Sequence, residues 1–232
     1  LDLDAPVAEV WPEFARNGKE GATTRMMLDH SVGLPAIREK LKADCMTDWD
    51  YMTERLAAEE PFWEPGTRNG YHALTFGFTV GEVVRRVSGK SLGAYFRDEV
   101  ATPLGIDYWI GLPEEQEHRV APVIPFRPGP DAPSTPFSEA ARQPGTLANL
   151  FLFNHGDWAI KGVNTRAGRA AEIGAAGGVT NARGLAAFYT GLTGANALVS
   201  PATVAAISQA SVATHVDATL LVPTRFSAGF ML

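Results

Sequence analysis

Between Pro113 and Pro144 the chain carries eight of its 16 prolines. Each removes a backbone N–H and fixes φ near −65°, so neither a helix interior nor a central strand can run through this stretch. Regular structure must therefore fall into two blocks joined by a long ordered loop, with room for one short strand around Arg119 to Ile124. A connection of that length is a candidate lid or rim.

The first block reads as helices. Thr23 and Thr24 precede the apolar run Arg25-Met26-Met27-Leu28, which stops near Gly33 and Pro35, so a Thr hydroxyl caps a helix that leaves His30 and Ser31 at its C-terminus. Thr47 followed by Asp50 opens a second helix, with Trp49, Met52 and Leu56 on one face and Asp50, Glu54 and Arg55 solvated. Pro61 to Gly70 is turn chemistry and delivers Tyr71 on a loop. Beyond it Val80, Val83, Val84 and Val87 recur at helical spacing, with Glu82, Arg85 and Arg86 between them, until Gly89. Ser91 caps a further helix whose inner face is Leu92, Tyr95, Phe96 and Val100.

In the second block Thr180 or Asn181 caps a helix with Leu185, Phe188 and Leu192 inside, and Ser200-Pro201 opens another in the cap-then-proline order. Strand signal is sparse until Arg225 to Leu232, so the pattern alone predicts a mainly α chain: a helical region over about 20–200 and a late strand over about 225–232.

A net charge of −6 and a pI near 5.4 provide no basic footprint for nucleic acid or anionic lipid. With Cys45 alone there is no internal disulfide framework, and no run of 18 apolar residues marks a membrane span. The chain starts without Met and ends in Phe230-Met231-Leu232, so both ends read as truncations. The compartment stays open, with the cytoplasm favoured, and nothing indicates an oligomeric state.

No self-sufficient catalytic motif occurs: there is no Gly-x-Ser-x-Gly, no His-Glu-x-x-His, no Walker loop, no dinucleotide-binding glycine pattern, and no serine has a lysine three residues on. His30, His72, His118, His155 and His215 lack metal-ligand spacing, so neither a metal nor a cofactor is expected.

Four ordered segments nevertheless resemble one family. Leu28-Asp29-His30-Ser31-Val32-Gly33-Leu34-Pro35 resembles the Leu-Leu-Ser-His-Thr-Ser-Gly-Leu-Pro stretch of class C β-lactamase-like serine hydrolases. Pro65-Gly66, Tyr71-His72, Gly77, Gly81-Glu82 and Arg85 to Leu92 resemble its next block, Pro103-Leu104-Gly105-Ile106 its Pro-Leu-Gly-Met, and Ala176-Gly177-Gly178-Val179 its glycine-rich stretch before a helix.

The resemblance implies an α/β fold of the β-lactamase and penicillin-binding-protein type: an antiparallel sheet flanked by helices beside an all-α region, with the site in the cleft between them. This chain would supply mainly the helical part of that domain. The family's nucleophile is the serine of a Ser-x-x-Lys, here outside the 232 residues together with the final Lys-Thr-Gly-like motif.

Acyl transfer needs a base beside that serine, and the resemblance assigns the role to Tyr71, which matches the tyrosine of the family's Tyr-x-Asn motif. A phenol titrates near pH 10 and needs adjacent ammonium groups to act as a base at neutral pH. Ala73 stands where asparagine is usual and cannot donate to a β-lactam side-chain amide, so the Tyr-His pairing is more like family VIII carboxylesterases. Gly177 and Gly178 form a turn needing positive φ, a small-residue cleft wall that admits substrate, or both together. His30 reads as a structural residue satisfying terminal carbonyls of its helix.

The expected function is a serine esterase acting on small esters through an acyl-enzyme, the chain by itself being inactive. A β-lactamase or D-amino-peptide hydrolase on the same fold is the alternative, and a truncated, inactive binding chain is a third reading.

Overall fold

The computed structural model describes residues 1–125, 129, 133–156, 158, 161–194 and 197–232. Short polar side chains start most of its helices by accepting from backbone N–H groups that have no intrahelical partner. Thr23 caps α1 (Thr24–Leu28), Asp48 caps α2 (Trp49–Ala58), and Ser91 caps α4 (Leu92–Phe96). Between the last two, α3 (Thr75–Ser88) ends at Gly89 in the left-handed conformation. The cap of α2 is thus Asp48 rather than Thr47, which closes the preceding turn, Cys45–Thr47. Through a wide turn at Arg97–Ala101, α4 runs on into α5 (Thr102–Leu104).

The proline-rich connection holds more helix and less strand than the pattern predicts. Residues Glu114–Arg119 form a 3₁₀ helix, and Glu117 there accepts from Arg166 and Arg169. The expected strand around Arg119 to Ile124 does not form, because the Asn164 side chain satisfies both the N–H and the carbonyl of Val123 where a partner strand would have stood. The connection ends in a helical hairpin, α6 (Pro136–Ala141) and α7 (Leu147–Phe153), started by the Thr135 and Thr146 caps. Then follow α8 (Arg166–Ala170), α9 (Ala182–Thr193) capped by Asn181, and α10 (Pro201–Ile207) capped by Ser200.

Two small antiparallel sheets are present among the described residues. β1 (Tyr108–Ile110) pairs with β2 (Gly178–Thr180), Trp109 opposite Val179; β3 (Val212–Thr214) pairs with β4 (Thr224–Phe226), Ala213 opposite Arg225. The last strand is shorter than expected: Gly229, at φ +96°, turns the chain so that Met231 bridges back to Phe226.

Trp11, Phe14, Met27, Leu34, Met52, Leu56, Phe78 and Val83 form the heart of one core to which α1, α2 and α3 each contribute a face. Glu82, which falls between the apolar positions of α3, is 1% exposed, and Arg85, Arg86 and the Trp49 indole N–H all donate to its carboxylate. Leu185, expected inside α9, is exposed with Tyr189, and that helix is anchored instead by Phe188 against Phe96 and Tyr108.

Candidate active site

Tyr71 leaves the Pro61–Gly70 loop where three distant segments meet. Gly70 makes the meeting possible, since a side-chain carbon there would lie 2.8 Å from Ala218 Cβ and 2.8 Å from the Trp63 ring. Its N–H donates to the His30 carbonyl, and next to it Asn69 accepts from the Ala218 N–H and donates its side-chain amide to Thr224. The loop between β3 and β4 is thereby drawn against the residue that precedes Tyr71.

Asp217, fully buried on that loop, completes the clamp. Its Oδ1 accepts from the backbone N–H groups of Tyr71 (3.1 Å), Thr219 (2.9 Å) and Leu220 (2.8 Å), while Oδ2 accepts from Tyr71 (3.1 Å) and the Thr224 hydroxyl (2.9 Å). The backbone of Tyr71 is therefore held by a carboxylate 146 residues further along the chain.

The ring of Tyr71 lies parallel to Phe226, with 6.2 Å between centroids and 4° between planes. His30 stands 5.0 Å away and Phe151, on α7, 6.3 Å away. Tyr71 itself is half-buried. Its hydroxyl makes no hydrogen bond to a described residue, and the enclosed unpartnered side-chain atoms among those residues are His155 Nδ1 and Thr219 Oγ1.

Two histidines back this arrangement, and their partners define their protonation. The Leu34 N–H donates to His72 Nε2 at 2.8 Å, so that nitrogen carries no proton, and Nδ1 donates to the Gly70 carbonyl at 2.6 Å. His30 Nδ1 in turn accepts from the His72 backbone N–H at 3.1 Å. Contrary to expectation, His30 therefore serves no helix-terminal carbonyl. It sits past the end of α1 at φ +66°, with its ring among Tyr71, His72, Phe76 and Phe226. Both rings are neutral structural supports.

Burial pushes the His30 pKa down to about 4, against a partial upward pull from Asp217. Burial likewise takes His72 well below the usual imidazole range, His30 adds to the shift, and the bond to Gly70 opposes it. Each folded imidazole holds fewer protons than its unfolded counterpart, so stability rises with pH across this window and is lost as pH falls from about 6.5 towards 4. For His30 alone the loss is on the order of 3 kcal/mol. The expected result is a urea midpoint that drops steeply below pH 6.5 while both ring NMR signals stay at neutral positions down to about pH 5. A histidine signal from this pair that titrates near pH 6.5 would show that its ring is reached by water.

Of the other residues read as candidates, Ala73 lies two positions beyond Tyr71 in the turn that opens α3 and is half-buried. Gly177 lies elsewhere. It is buried at the turn before β2, where its N–H donates to the Ile173 carbonyl, and it lines a cavity of about 440 Å³ with Trp109, Arg119 and Trp158, whose walls do not include Tyr71. Its φ is not positive; a side-chain carbon there would come within 2.9 Å of the Ile173 oxygen, which accounts for glycine. The sequence reading missed Asp217, Phe151 and Phe226, which meet Tyr71 only through tertiary packing. Among the described residues no cluster of His, Cys, Asp or Glu could hold a metal, and no helix is long and apolar enough to cross a membrane.

Compared with known proteins, the chain matches the family described as Beta-lactamase over residues 1–232. It is 34% identical over 245 residues to the Esterase/beta-lactamase LipL of Mycobacterium tuberculosis (strain ATCC 25618 / H37Rv), which covers 99% of this chain and 55% of that protein. A family VIII carboxylesterase structure superposes with a TM-score of 0.81 at 39% identity, covering 100% of this chain and 60% of that one. A penicillin-binding protein homologue from Caulobacter crescentus gives 0.81 at 32% identity, with the same coverage. The chain thus spans 55% of the length of the curated relative it matches, and its helices and small antiparallel sheets have the α/β fold of β-lactamases and penicillin-binding proteins. On the whole-length family match and these two structures, the chain belongs to the β-lactamase-like serine hydrolases.

Proposed function

We propose that the protein carrying this chain is a serine esterase that turns over small neutral esters through an acyl-enzyme, with Tyr71 as its proton-transfer group. The observation that carries the reading is Tyr71 itself: a phenol clamped through its backbone by a buried carboxylate, wedged between aromatic rings, and left with a hydroxyl free of partners among the described residues. Ala73 supports ester over β-lactam substrates, since its methyl cannot donate to an acylamino side chain. Similarity to a family VIII carboxylesterase at 39% identity points the same way.

In this reading the nucleophilic serine and its lysine belong to the part of the protein outside these 232 residues, which here form the helical part of the domain. With Tyr71 held as a phenolate beside the ammonium of that lysine, the serine oxygen attacks the ester carbonyl carbon and its proton passes to the phenolate oxygen; the same proton then leaves on the departing alcohol as the ester C–O bond breaks, which restores the phenolate. Water then repeats the sequence on the acyl-enzyme, releasing the carboxylic acid and restoring the serine. Turnover of a nitrophenyl ester by the full-length protein, without turnover of a chromogenic cephalosporin, is the expected result. The reverse preference would overturn the ester assignment in favour of a β-lactamase, and activity on neither would leave the chain a binding protein.

A further inference from the structure

We propose that α7 sets the substrate preference of this site through Phe151, which provides the apolar surface against which the substrate's hydrocarbon group lies. The inference rests on the reading of Tyr71 given above and goes beyond it by naming a specificity-determining residue. Three rings other than His72 surround Tyr71, and they differ in what a ligand can reach. His30 is 6% exposed and Phe226 is 1% exposed, so both are spent inside the fold. Phe151 is half-buried and lies 6.3 Å from Tyr71 at an angle of 54°. Phe151 is thus a partly exposed aromatic surface beside the phenol.

Behind it Phe137 of α6 packs edge-on to Phe151 at 6.0 Å, which widens the apolar wall and fixes the ring. The two helices hold together as one piece. Thr146 donates to the Ala140 carbonyl, and the Asn149 amide donates to the Ala141 carbonyl. The piece is fastened to the body just after α7 by Asn154, whose amide donates to the carbonyls of Ile37 and Glu39 and accepts from the Leu41 N–H. A wall so placed recognises an acyl chain of several carbons by burial of hydrocarbon. It discriminates against a group too short to reach it.

The test compares p-nitrophenyl hexanoate with p-nitrophenyl acetate on the full-length protein. In Phe151→Ala the ratio of kcat/KM for hexanoate to that for acetate is expected to fall about tenfold, carried by KM. Phe151→Leu, which keeps an apolar side chain and protects against collapse of the hairpin, is expected to lower the ratio about threefold. A ratio within about twofold of the wild type in a folded variant would overturn the proposal. Failure of the underlying reading has a different signature, because loss of the proton-transfer group lowers turnover of both esters and leaves the ratio alone. Tyr71→Phe, measured alongside, separates the two: a Tyr71→Phe enzyme with full activity removes Tyr71 from the chemistry, and the chain-length ratio in the Phe151 variants then still decides whether α7 faces the substrate.

Discussion

Tyr71→Phe in the full-length protein is expected to slow ester acylation by a factor of about 10² to 10⁴ while leaving the urea midpoint nearly unchanged. The two effects separate because the substitution removes the hydroxyl alone. The ring contacts with Phe226, His30 and Phe151 survive, as does the backbone clamp to Asp217. The hydroxyl has no partner among the described residues, so the folded state forfeits less than the roughly 1 kcal/mol of an ordinary net hydrogen bond. The transition state forfeits a positioned acid and base, roughly 3 to 5 kcal/mol of barrier. Measuring the burst of nitrophenol and the urea midpoint on the same preparation gives both numbers at once. A variant that keeps most of its burst rate shows Tyr71 to be a packing residue, and the Ser-Lys pair then works unaided.

How much of this site the sequence disclosed follows from the range of the interactions involved. A helix cap is a contact between a side chain and a backbone N–H two or three residues on, so Ser91 and Ser200 could be read directly, and the pairs Thr23-Thr24 and Thr180-Asn181 each contain the residue that caps. Tyr71 was legible for a different reason: its loop is marked by prolines and glycines, and the order of segments around it resembles the family. Glu82 shows what such reasoning leaves open. Its spacing places it between apolar positions, and the convergence of Trp49, Arg85 and Arg86 makes its burial tolerable. The strand expected near Val123 failed through competition, because the Asn164 amide took both backbone partners that a neighbouring strand requires. Periodicity places Leu185 inside α9, yet Leu185 is exposed and Phe188 anchors that helix against Phe96 and Tyr108. Phe151 and Asp217 carried no local signal, since each matters to Tyr71 only after the chain has closed loops of many tens of residues.

Asp217→Ala is expected to be among the most destabilising substitutions in the chain, costing roughly 3 to 5 kcal/mol, whereas Asp217→Asn should recover much of that loss. The carboxylate receives the N–H groups of Tyr71, Thr219 and Leu220, and removing it leaves these backbone donors without their acceptor in a place where the replaced residue is fully enclosed. Each orphaned buried donor costs about 1 to 3 kcal/mol. An asparagine oxygen can still receive the three N–H groups, and its nitrogen can donate to Thr224 Oγ1, which already accepts from Asn69. What the amide loses is the charge of the acceptor and the partner of the Thr224 hydroxyl proton. The two variants therefore divide packing from positioning. If Asp217 only fills space, alanine and asparagine should lower the urea midpoint and spare kcat in whatever fraction remains folded. If it holds Tyr71 in register, the folded Asp217→Asn protein should lose kcat at unchanged KM for the short ester, because the phenol drifts relative to the serine while the walls of the site stay in place. An Asp217→Ala protein as stable as the parent would show that water takes over these three donors, and the clamp would then have no part in setting the position of Tyr71.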